Sequence, residues 1–427
     1  MIETSDRVIL TDPWYTGKAF NDSWKLFPDA AWKDEYYDLV DDIWISHEHP
    51  DHFNIATLKA FPDSFKQRVR ILFQQNNTDK MPEAFRRLGF RNICIFPNRT
   101  VTAISKETSI YIVQIGQMDS ALAVINQGEV VLNLNDCEAN KSDCRNIIKD
   151  IGRVDILLNQ FSIAGYNGHF DHDRYLSELA DSILDNMVEN HISLKAKVTI
   201  PFASNIYFCT KDNEYVNYYL KTPLDVQARF VEERLGCAIL YPGDIIDTAI
   251  GSSYDNSAAI EKYDTLYRKT PKTFDVPPVV PVADIERAIK KRHAQLSEKF
   301  PWWVMNRLTE LSVFVPDLNV IVLFSLGKGT FRVAPAGEDY DMVIYSQPFF
   351  YSFDTLWGVQ TMGVGGRYRI KNRFGIWRWY RIVTSLNNAE MYLKGKYLFT
   401  KNNLDFLRTR FKGGVNQLAY QLSRMKR

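Results

Sequence analysis

The sequence predicts an α/β protein built from covered sheets, followed by a smaller α+β unit. Short apolar runs bounded by turn residues recur through about the first 250 positions and are typical of strands, and helix-period stretches lie between them. A chain of 427 residues is also too long for one ordinary core, so we expect two domains. A run of prolines lies between the two predicted units.

The predicted elements alternate along the first unit. The predicted strands are Val8–Leu10, Ile43–Ile45, Ile71–Phe73, Ile110–Val113, Leu122–Ile125, Val130–Leu134, Ile156–Leu158, Val198–Phe202 and Ala238–Leu240. The predicted helices are Ile55–Phe61, Met81–Leu88, Asp171–Glu189 and Asn256–Arg268. Gln127-Gly128 separates two apolar runs and indicates a hairpin turn. We also expect Tyr37–Ile45 to run as one strand up to His47.

The domain boundary is predicted at residues 269–282, where Pro271, Pro277, Pro278 and Pro281 interrupt helix and sheet alike. We therefore assign residues 1–268 to a metal-binding catalytic domain and residues 283–427 to an accessory or substrate domain. In the second domain we predict an amphipathic helix over Ala283–Phe300 and a small α+β unit, with segments at Leu318–Phe324, Thr330–Ala334, Asp341–Ser346 and Thr361–Arg369. The basic stretch Asn403–Arg427 indicates a helix with a solvated face.

Composition excludes several classes of protein. A formal net charge of +1 argues against non-specific electrostatic binding of nucleic acid by the chain as a whole. No apolar run approaches the roughly 20 residues of a membrane span. Five scattered cysteines without a C-x-x-C pair indicate reduced thiols and a cytoplasmic protein.

The segment Ser46-His47-Glu48-His49-Pro50-Asp51-His52 is the strongest functional signal, because three of the seven histidines lie in six consecutive positions. Imidazole and carboxylate donors at the spacing H-x-H-x-D-H suit Zn, Fe or Mn. His47 and His49 share one side of an extended segment, and Asp51 and His52 point elsewhere, so one or two ions fit. We expect Glu48 to face away or lie exposed. The competing interpretation is a polar loop with solvated imidazoles.

These residues resemble the metallo-β-lactamase fold superfamily, whose signature is H-x-H-x-D-H. Within it the chain looks most like the lactamase-like domain of CMP-N-acetylneuraminate hydroxylases and related bacterial proteins. The supporting blocks are Leu10–Trp14, Ala19–Trp24, Asp119–Leu122, Leu132–Cys137, Asn159–Ser162, Pro201–Ser204 and Tyr241–Asp244. The resemblance implies an αββα sandwich over about residues 1 to 250. Relatives begin with a further strand, so we expect an exposed or differently paired sheet edge near Ile2.

The resemblance also implies how the ligands are shared. His47 and His49 would belong to one metal site and Asp51 with His52 to the other, and Asp136 matches the aspartate that commonly bridges two ions. The alternative for Asp136 is a turn cap. Asp51 or Asp136 would take the proton in catalysis.

The chain departs from the superfamily hydrolases at two ligand positions. Those enzymes usually have one histidine ahead of the bridging aspartate and another after it, whereas residues 114–119 and 200–204 contain none. His169 and His172 are the reserve candidates for metal or substrate contact; the alternative there is a helix N-terminus with exposed histidines. We expect His191 and His293 to be structural.

Three functions follow from these features. The first is a metal-dependent hydrolase that activates water and acts on a small polar substrate; the resemblance implies a sugar or nucleotide-sugar. The second is an iron-dependent hydroxylase, which would need a separate reductase because the chain shows no Rieske-type Cys-His pairs. The third is a non-catalytic metal-dependent binding module. Gly363–Gly366 indicates only a weak phosphate site, and Arg367, Arg369, Arg373 and Arg378 are further phosphate candidates.

Overall fold

A computed structural model describes residues 1–76, 79–116, 118–249, 253–337, 339–389 and 391–395. Its secondary structure confirms the α/β class and the presence of a further C-terminal unit. The predicted helix at Asn403–Arg427 lies outside the described residues. Of the described helices, none has the length and apolar content that crossing a bilayer would require.

The first sheet has five strands and is parallel except at one edge. In spatial order they are β1 (Ile2–Glu3), β2 (Val8–Thr11), β4 (Asp42–Trp44), β5 (Arg70–Gln74) and β6 (Asn92–Phe96). Only β1 runs antiparallel to its neighbour, and it forms one edge. Four helices belong to this half: α1 (Tyr36–Leu39), α2 (Ile55–Ala60), α3 (Asp63–Arg68) and α4 (Lys80–Arg87).

The second sheet has six strands and is mixed. In spatial order they are β12 (Val198–Phe202), β11 (Ile156–Gln160), β10 (Glu129–Asn135), β9 (Asp119–Asn126), β8 (Thr108–Ile115) and β7 (Thr100–Ala103). The strands β10, β11 and β12 are parallel, and β7 to β10 pair antiparallel. The helices α5 (Lys141–Ile151) and α6 (His172–Ser193) connect its parallel strands.

The two sheets pack face to face. One buried cluster joins Ile9, Trp44 and Leu72 of the first sheet to Ile110 and Leu122 of the second. A second cluster lies between the first sheet and α2 to α4, and a third between the second sheet and α5. Each sheet therefore has the other sheet on one face and helices on the opposite face, as alternating strands and helices require.

Smaller elements extend this half. A two-stranded sheet pairs β3 (Trp24–Leu26) with β13 (Ile206–Phe208). A 3-10 helix over Glu214–Tyr219 is followed by α7 (Pro223–Glu232) and α8 (Ser257–Lys269).

The C-terminal unit has its own sheet and its own apolar core. Its helices are α9 (Val282–Lys299), α10 (Trp302–Met305), α11 (Ser346–Asp354), α12 (Gly358–Val364) and α13 (Arg373–Asn387). Its sheet has the order β16 (Thr330–Pro335), β15 (Val320–Ser325), β14 (Leu311–Val315), β17 (Met342–Ile344) and β18 (Tyr368–Ile370). The core joins residues of α9, α11 and α13 to the sheet.

Three local predictions can be compared with the structure. The hairpin at Gln127-Gly128 is confirmed: both residues have positive φ, which the tight turn between β9 and β10 needs. A strand over Tyr37–Ile45 is wrong, because residues 36–39 form a helix and β4 has only three residues. A strand at Ala238–Leu240 is also wrong. The backbone makes one isolated bridge at Cys237, and the N–H of Ile239 donates to the Asn256 side chain instead.

A buried polar contact joins the C-terminal unit to the first half. Arg367 donates from Nε to Asp212 Oδ2 at 2.6 Å, and both side chains are 2% exposed. The Asn213 side chain donates to the carbonyls of Ser23 and Gly365. The predicted boundary at residues 269–282 falls between α8 and α9, and the two-domain division stays a prediction.

Candidate metal centre

The candidate metal centre lies where strands of both sheets end at the same edge. Asp12 follows β2, and the segment Ser46–His52 follows β4, which is parallel to β2. Asp136 follows β10, and Asp119 begins β9, which is antiparallel to β10. The Ser120 hydroxyl donates to the Ser46 carbonyl at 2.7 Å and ties the two sheets together beside these side chains. Polar groups at strand ends thus converge in one crevice.

Three side chains form a first group of potential ligands: His47, His49 and Asp119. His47 Nε2 lies 2.7 Å from His49 Nδ1 and 3.7 Å from Asp119 Oδ1. One donor atom from each of the three lies within 4.8 Å of the others. These are two nitrogen donors and one carboxylate.

His47 also belongs to a second group, with His52 and Asp136. His52 Nε2 lies 3.2 Å from Asp136 Oδ2, and His47 Nε2 lies 3.9 Å from the same oxygen. Asp51 Oδ2 is 3.3 Å from His52 Nε2. Asp136 is therefore aimed at imidazoles, not at a backbone N–H as a turn cap would be.

A β-bulge directs Asp136 into the site. The pairing of β10 with β11 shifts register between Asn133 and Asn135, and Asn135 has a φ of 44°. The Asn135 side chain accepts from the Asp136 N–H and donates to the Ser120 carbonyl. Bulges commonly re-aim a side chain at a strand end in this way.

Asp12 and Ser46 fix the orientation of the histidines. Asp12 Oδ2 lies 2.9 Å from His52 Nδ1, and Asp12 Oδ1 accepts from the Ser46 N–H at 2.7 Å. The Ser46 hydroxyl is 3.0 Å from His47 Nδ1. A carboxylate at Nδ1 holds the proton on that nitrogen and leaves Nε2 as the donor atom for a metal.

Burial and neighbouring charges shift the pKa values of His47, Asp119 and His52 away from their usual values. Burial, and then the charge on His52, lowers the pKa of His47 to about 4. Burial, and then repulsion by Asp136, raises the pKa of Asp119 to about 7. Burial opposes the charge of His52, but the carboxylates of Asp136, Asp51 and Asp12 outweigh it and raise the pKa of that imidazole well above its usual value. Near neutral pH, His47 is therefore held without a positive charge, whereas His52 keeps its proton and supplies the positive charge beside the three carboxylates.

The donor set fits a cation. Asp51 Oδ1 and Asp136 Oδ1 are buried, and neither oxygen has a hydrogen-bond partner within the described residues. Unpaired buried polar atoms are costly unless an ion or water satisfies them. The imidazole nitrogens and carboxylate oxygens are close enough together to bind one ion, and this mixture of donors suits Zn, Fe or Mn. Binding of the metal would displace the protons held by His52 and Asp119.

The structure brings together five residues singled out in the sequence: His47, His49, Asp51, His52 and Asp136. Glu48 is exposed, as expected. Their role as ligands stays a prediction.

His169 and His172 take a different position, at the start of α6. His169 Nδ1 accepts from the N–H of Asp171, and its ring stacks on Tyr175. His172 Nε2 lies 3.1 Å from Asp173. In the part of the chain that the structure describes, neither belongs to a group of potential ligands. The helix N-terminus is the interpretation that this geometry favours.

Two residues of the site, Asp119 and Asp12, were not predicted as such from the sequence. Asp119 lies in the stretch where superfamily hydrolases usually have a histidine, and it supplies a carboxylate instead. Asp12 lies within Leu10–Trp14, one of the blocks that carry the family resemblance. Both stand at strand ends, and that position is the signal that could have identified them.

The four arginine candidates for phosphate have other partners. Arg367 pairs with Asp212, and Arg378 with Asp341. Arg369 lies over the Tyr215 ring and Arg373 over the Phe170 ring.

Comparison with known proteins agrees with the fold and the motif. Residues 1–159 match the model of a family described as a beta-lactamase superfamily domain. A cytidine monophosphate-N-acetylneuraminic acid hydroxylase of Danio rerio is 24% identical over 220 residues, 48% of this chain and 35% of that protein. The enzyme of the same name from Asterias rubens is 31% identical over 197 residues, 42% of this chain and 27% of that one.

The matched segment therefore spans about a third of these relatives or less. Among solved structures, CmlA, a diiron beta-hydroxylase from Streptomyces venezuelae, aligns with a TM-score of 0.39 at 15% identity. That alignment covers 56% of this chain and 50% of CmlA.

Proposed function

Because residues 1–159 match the model of a beta-lactamase superfamily domain, we propose that this chain is a metal-dependent enzyme whose reaction is the hydroxylation of a small polar substrate. Hydrolysis of such a substrate is the second candidate. The predicted αββα sandwich is the scaffold in both cases, and the packing of helices on the outer faces of two sheets supports it.

The observation that carries the proposal is the carboxylate of Asp119. It lies 3.7 Å from His47 in the region where superfamily hydrolases usually place a histidine. The centre is therefore surrounded by three imidazoles and three carboxylates. This set contains more oxygen donors, which are hard ligands, than a histidine-rich site does. Harder, oxygen-rich sets favour iron or manganese over zinc. The similarity to cytidine monophosphate-N-acetylneuraminic acid hydroxylases supports the same reaction.

The ligands would divide between two positions. His47, His49 and Asp119 would hold one ion, and Asp51 with His52 a second, with Asp136 placed to reach both. Iron held there supplies oxygen-activating chemistry, and zinc would instead acidify a water for hydrolysis. Asp12 keeps His52 in one tautomer, and burial excludes bulk water from His47 and His52. Hydroxylation also consumes two electrons, so a separate reductase is the partner we propose.

A small cleft follows Asp136 in the chain, and it is lined by Cys137, Glu138, Asn159, Gln160, Ser182, Ile183 and Asn186. Its volume of about 10 Å³ has room for about one water molecule, which is too little for a sugar. A sugar or nucleotide-sugar is therefore proposed as the substrate on the family resemblance alone.

The cysteines support the proposed cytoplasmic location. All five are free thiols in the structure, and burial raises the pKa of Cys144 and of Cys237 to about 12. Five cysteines that form no disulfide are typical of proteins from a reducing compartment, and this is the basis of the proposed location.

Elemental analysis of the purified protein tests the proposal. We expect stoichiometric iron, its loss in His47→Ala and Asp136→Ala, and its retention in the control His169→Ala. Asp119→His should shift the bound metal toward zinc. Zinc alone in the wild type, with hydrolytic turnover, would overturn hydroxylation in favour of hydrolysis. A protein that takes up no metal would refute both and leave a binding module.

A further inference from the structure

Three consecutive residues between β2 and β3 have a left-handed backbone. Phe20, Asn21 and Asp22 have φ angles of 52°, 53° and 59°, and none of them is glycine. A side chain makes this conformation strained, and it persists only where surrounding contacts hold it. We call residues 20–22 the left-handed turn. Contacts from the rest of the molecule must therefore maintain it.

The left-handed turn places Phe20 beside a potential metal ligand. The Phe20 side chain is 4% exposed, and its ring centroid lies 4.4 Å from that of Trp24 and 6.1 Å from that of His49. Aromatic rings at such separations attract each other, and their bulk limits how far either can rotate. Phe20 therefore packs against one side of the His49 imidazole.

His49 depends on this contact more than the other two histidines of the site do. Nδ1 of His47 and Nδ1 of His52 lie 3.0 Å and 2.9 Å from a side-chain oxygen. In the part of the chain that the structure describes, the His49 ring has a hydrogen-bond contact only with His47. A metal-binding histidine is usually oriented by a hydrogen bond at its second ring nitrogen. For His49, packing against Phe20 is the orienting contact.

The C-terminal unit holds the left-handed turn. Arg367 Nη1 donates to the Asn21 carbonyl and to Ser23 Oγ, both at 3.3 Å. Arg367 is itself fixed, because its Nε donates to the buried Asp212 carboxylate at 2.6 Å. Gly365 packs so closely on Ser23 that it has no room for a Cβ. The segment between α12 and β18 thus reaches the turn directly.

The first half contacts the same turn at other atoms. The Cys209 N–H donates to the Ser23 carbonyl at 2.9 Å, and the Cys209 thiol donates to the Asp22 carbonyl at 3.1 Å. Among the described residues, the carbonyl of the central residue Asn21 is reached only by Arg367. Without Arg367, the middle of a strained turn would lack a partner.

We propose that the C-terminal unit positions the metal ligand His49 through Arg367 and the left-handed turn. Arg367 holds Asn21, the turn holds Phe20, and the Phe20 ring holds the His49 imidazole toward the cation. Arg367 and Phe20 are positioning residues, since neither belongs to a described ligand group. This role rests on the proposed metal-dependent function, and it makes the C-terminal unit a part of the metal centre.

Titration of the metal-free, full-length protein with Co(II) tests the proposal, because the visible absorption bands of bound Co(II) change with the geometry of its ligands. Phe20→Leu keeps an apolar side chain but removes the ring. Arg367→Lys keeps a positive charge for Asp212 but removes Nη1. Both variants should bind Co(II) about tenfold more weakly than the wild type and should change its absorption bands.

The matched controls are Phe65→Leu and Arg378→Lys. Phe65 is buried in α3 against Tyr37 and Phe61, and Arg378 pairs with Asp341 within the C-terminal unit. Both controls should bind Co(II) as the wild type does. Urea unfolding measures the stability of all four variants, and Co(II) binding is recorded where circular dichroism shows each of them to be folded.

Unchanged Co(II) affinity and absorption in Phe20→Leu or in Arg367→Lys would overturn the positioning role, even if that variant is less stable. A change of equal size in the controls would also overturn it, because lost stability alone would then explain the effect. A wild type that binds no Co(II) would refute the metal centre together with this role. Normal Co(II) binding by the wild type and by both variants would refute the positioning role alone.

Discussion

At the scale of single residues, the metal centre depends on the contact between Asp12 and His52. Asp12 is acidic, buried and 2.9 Å from His52 Nδ1. Asp12→Asn keeps the shape and an oxygen for the Ser46 N–H but removes the negative charge. We expect metal affinity to fall by about 10- to 100-fold, as for other residues that orient a metal-binding histidine. Isothermal titration with the metal measures this.

The matched control is Asp29→Asn, a substitution at an exposed aspartate. It should leave metal affinity unchanged. Equal affinity in Asp12→Asn and in the wild type would show that His52 needs no carboxylate partner, or that His52 is not a ligand.

His191 gives a prediction for pH dependence. The side chain is 5% exposed, its Nδ1 lies 2.8 Å from Thr199 Oγ1, and burial lowers its pKa from 6.5 to about 4. Above pH 6.5 both folded and unfolded states hold it neutral, and stability is full. As the pH falls toward 4, only the unfolded state gains the proton, so up to about 3 kcal/mol is lost.

Urea denaturation at about pH 7 and about pH 5 measures this effect. His191→Leu should lose less stability between the two values than the wild type does. The same decrease in both proteins would assign the acid sensitivity to other groups.

The residue scale also shows what the sequence can predict about the site. His47, His49, Asp51 and His52 lie within six consecutive positions, so the motif alone predicted that they belong to one metal-binding region. Asp12 and Asp119 approach them only because parallel β2 and β4, and antiparallel β9 and β10, end at one edge. The alignment of these strands is a tertiary feature, and no short sequence pattern predicts it.

At the scale of elements, the face-to-face packing of the two sheets stabilises the first half. Leu122 of β9 is fully buried between them, beside Trp44 and Ile110. Leu122→Ala should lower the free energy of unfolding by about 2–5 kcal/mol, because it removes buried methyl groups and leaves a cavity. Denaturant unfolding followed by tryptophan fluorescence measures the change.

Val101→Ala is the control, because Val101 of β7 is 47% exposed. It should change stability by about 0.5 kcal/mol or less. A similarly small effect of Leu122→Ala would mean that the two sheets do not share this core.

Elements with a local cause were predictable, and those with a tertiary cause were not. The β9–β10 hairpin follows from Gln127-Gly128. Ala238–Leu240 has the composition of a strand, yet Asn256 takes the backbone N–H that a neighbouring strand would need. Residues Tyr36–Leu39 form a helix where a strand was predicted. The rings of Tyr36 and Tyr37 in this helix pack against Trp32, which is a packing contact outside the helix itself.

At the scale of the whole molecule, the buried Arg367–Asp212 ion pair is one of the contacts between the C-terminal unit and the first half. Arg367→Met leaves the Asp212 carboxylate buried without its partner, so we expect a loss of about 3–5 kcal/mol in the free energy of unfolding. Limited proteolysis between α8 and α9 should also become faster, because the units separate more readily.

Lys371→Met is the control for this substitution, since the Lys371–Asp339 pair is exposed at 49% and 86%. Such a pair contributes about 0–1 kcal/mol. The double variant Arg367→Met/Asp212→Leu should recover part of the loss, since neither buried charge remains. If Arg367→Met costs no more than Lys371→Met, the ion pair does not hold the units together.

How the two units pack against each other could not be predicted from the sequence. Gly365 is glycine because a Cβ there would lie 2.4 Å from Ser23 Oγ, a contact between residues more than 300 positions apart. The glycine run therefore reflects close packing, and the sequence pattern alone could not distinguish this from phosphate binding.

The central claim is that the two ligand groups bind a cation at one edge of both sheets. Anomalous X-ray scattering from crystals of the metal-loaded protein, recorded at the iron and zinc absorption edges, tests it most directly. We expect an anomalous peak within bonding distance of His47 and Asp136. Loaded crystals with no anomalous peak among His47, His52 and Asp136, or with a peak only elsewhere in the molecule, would contradict it.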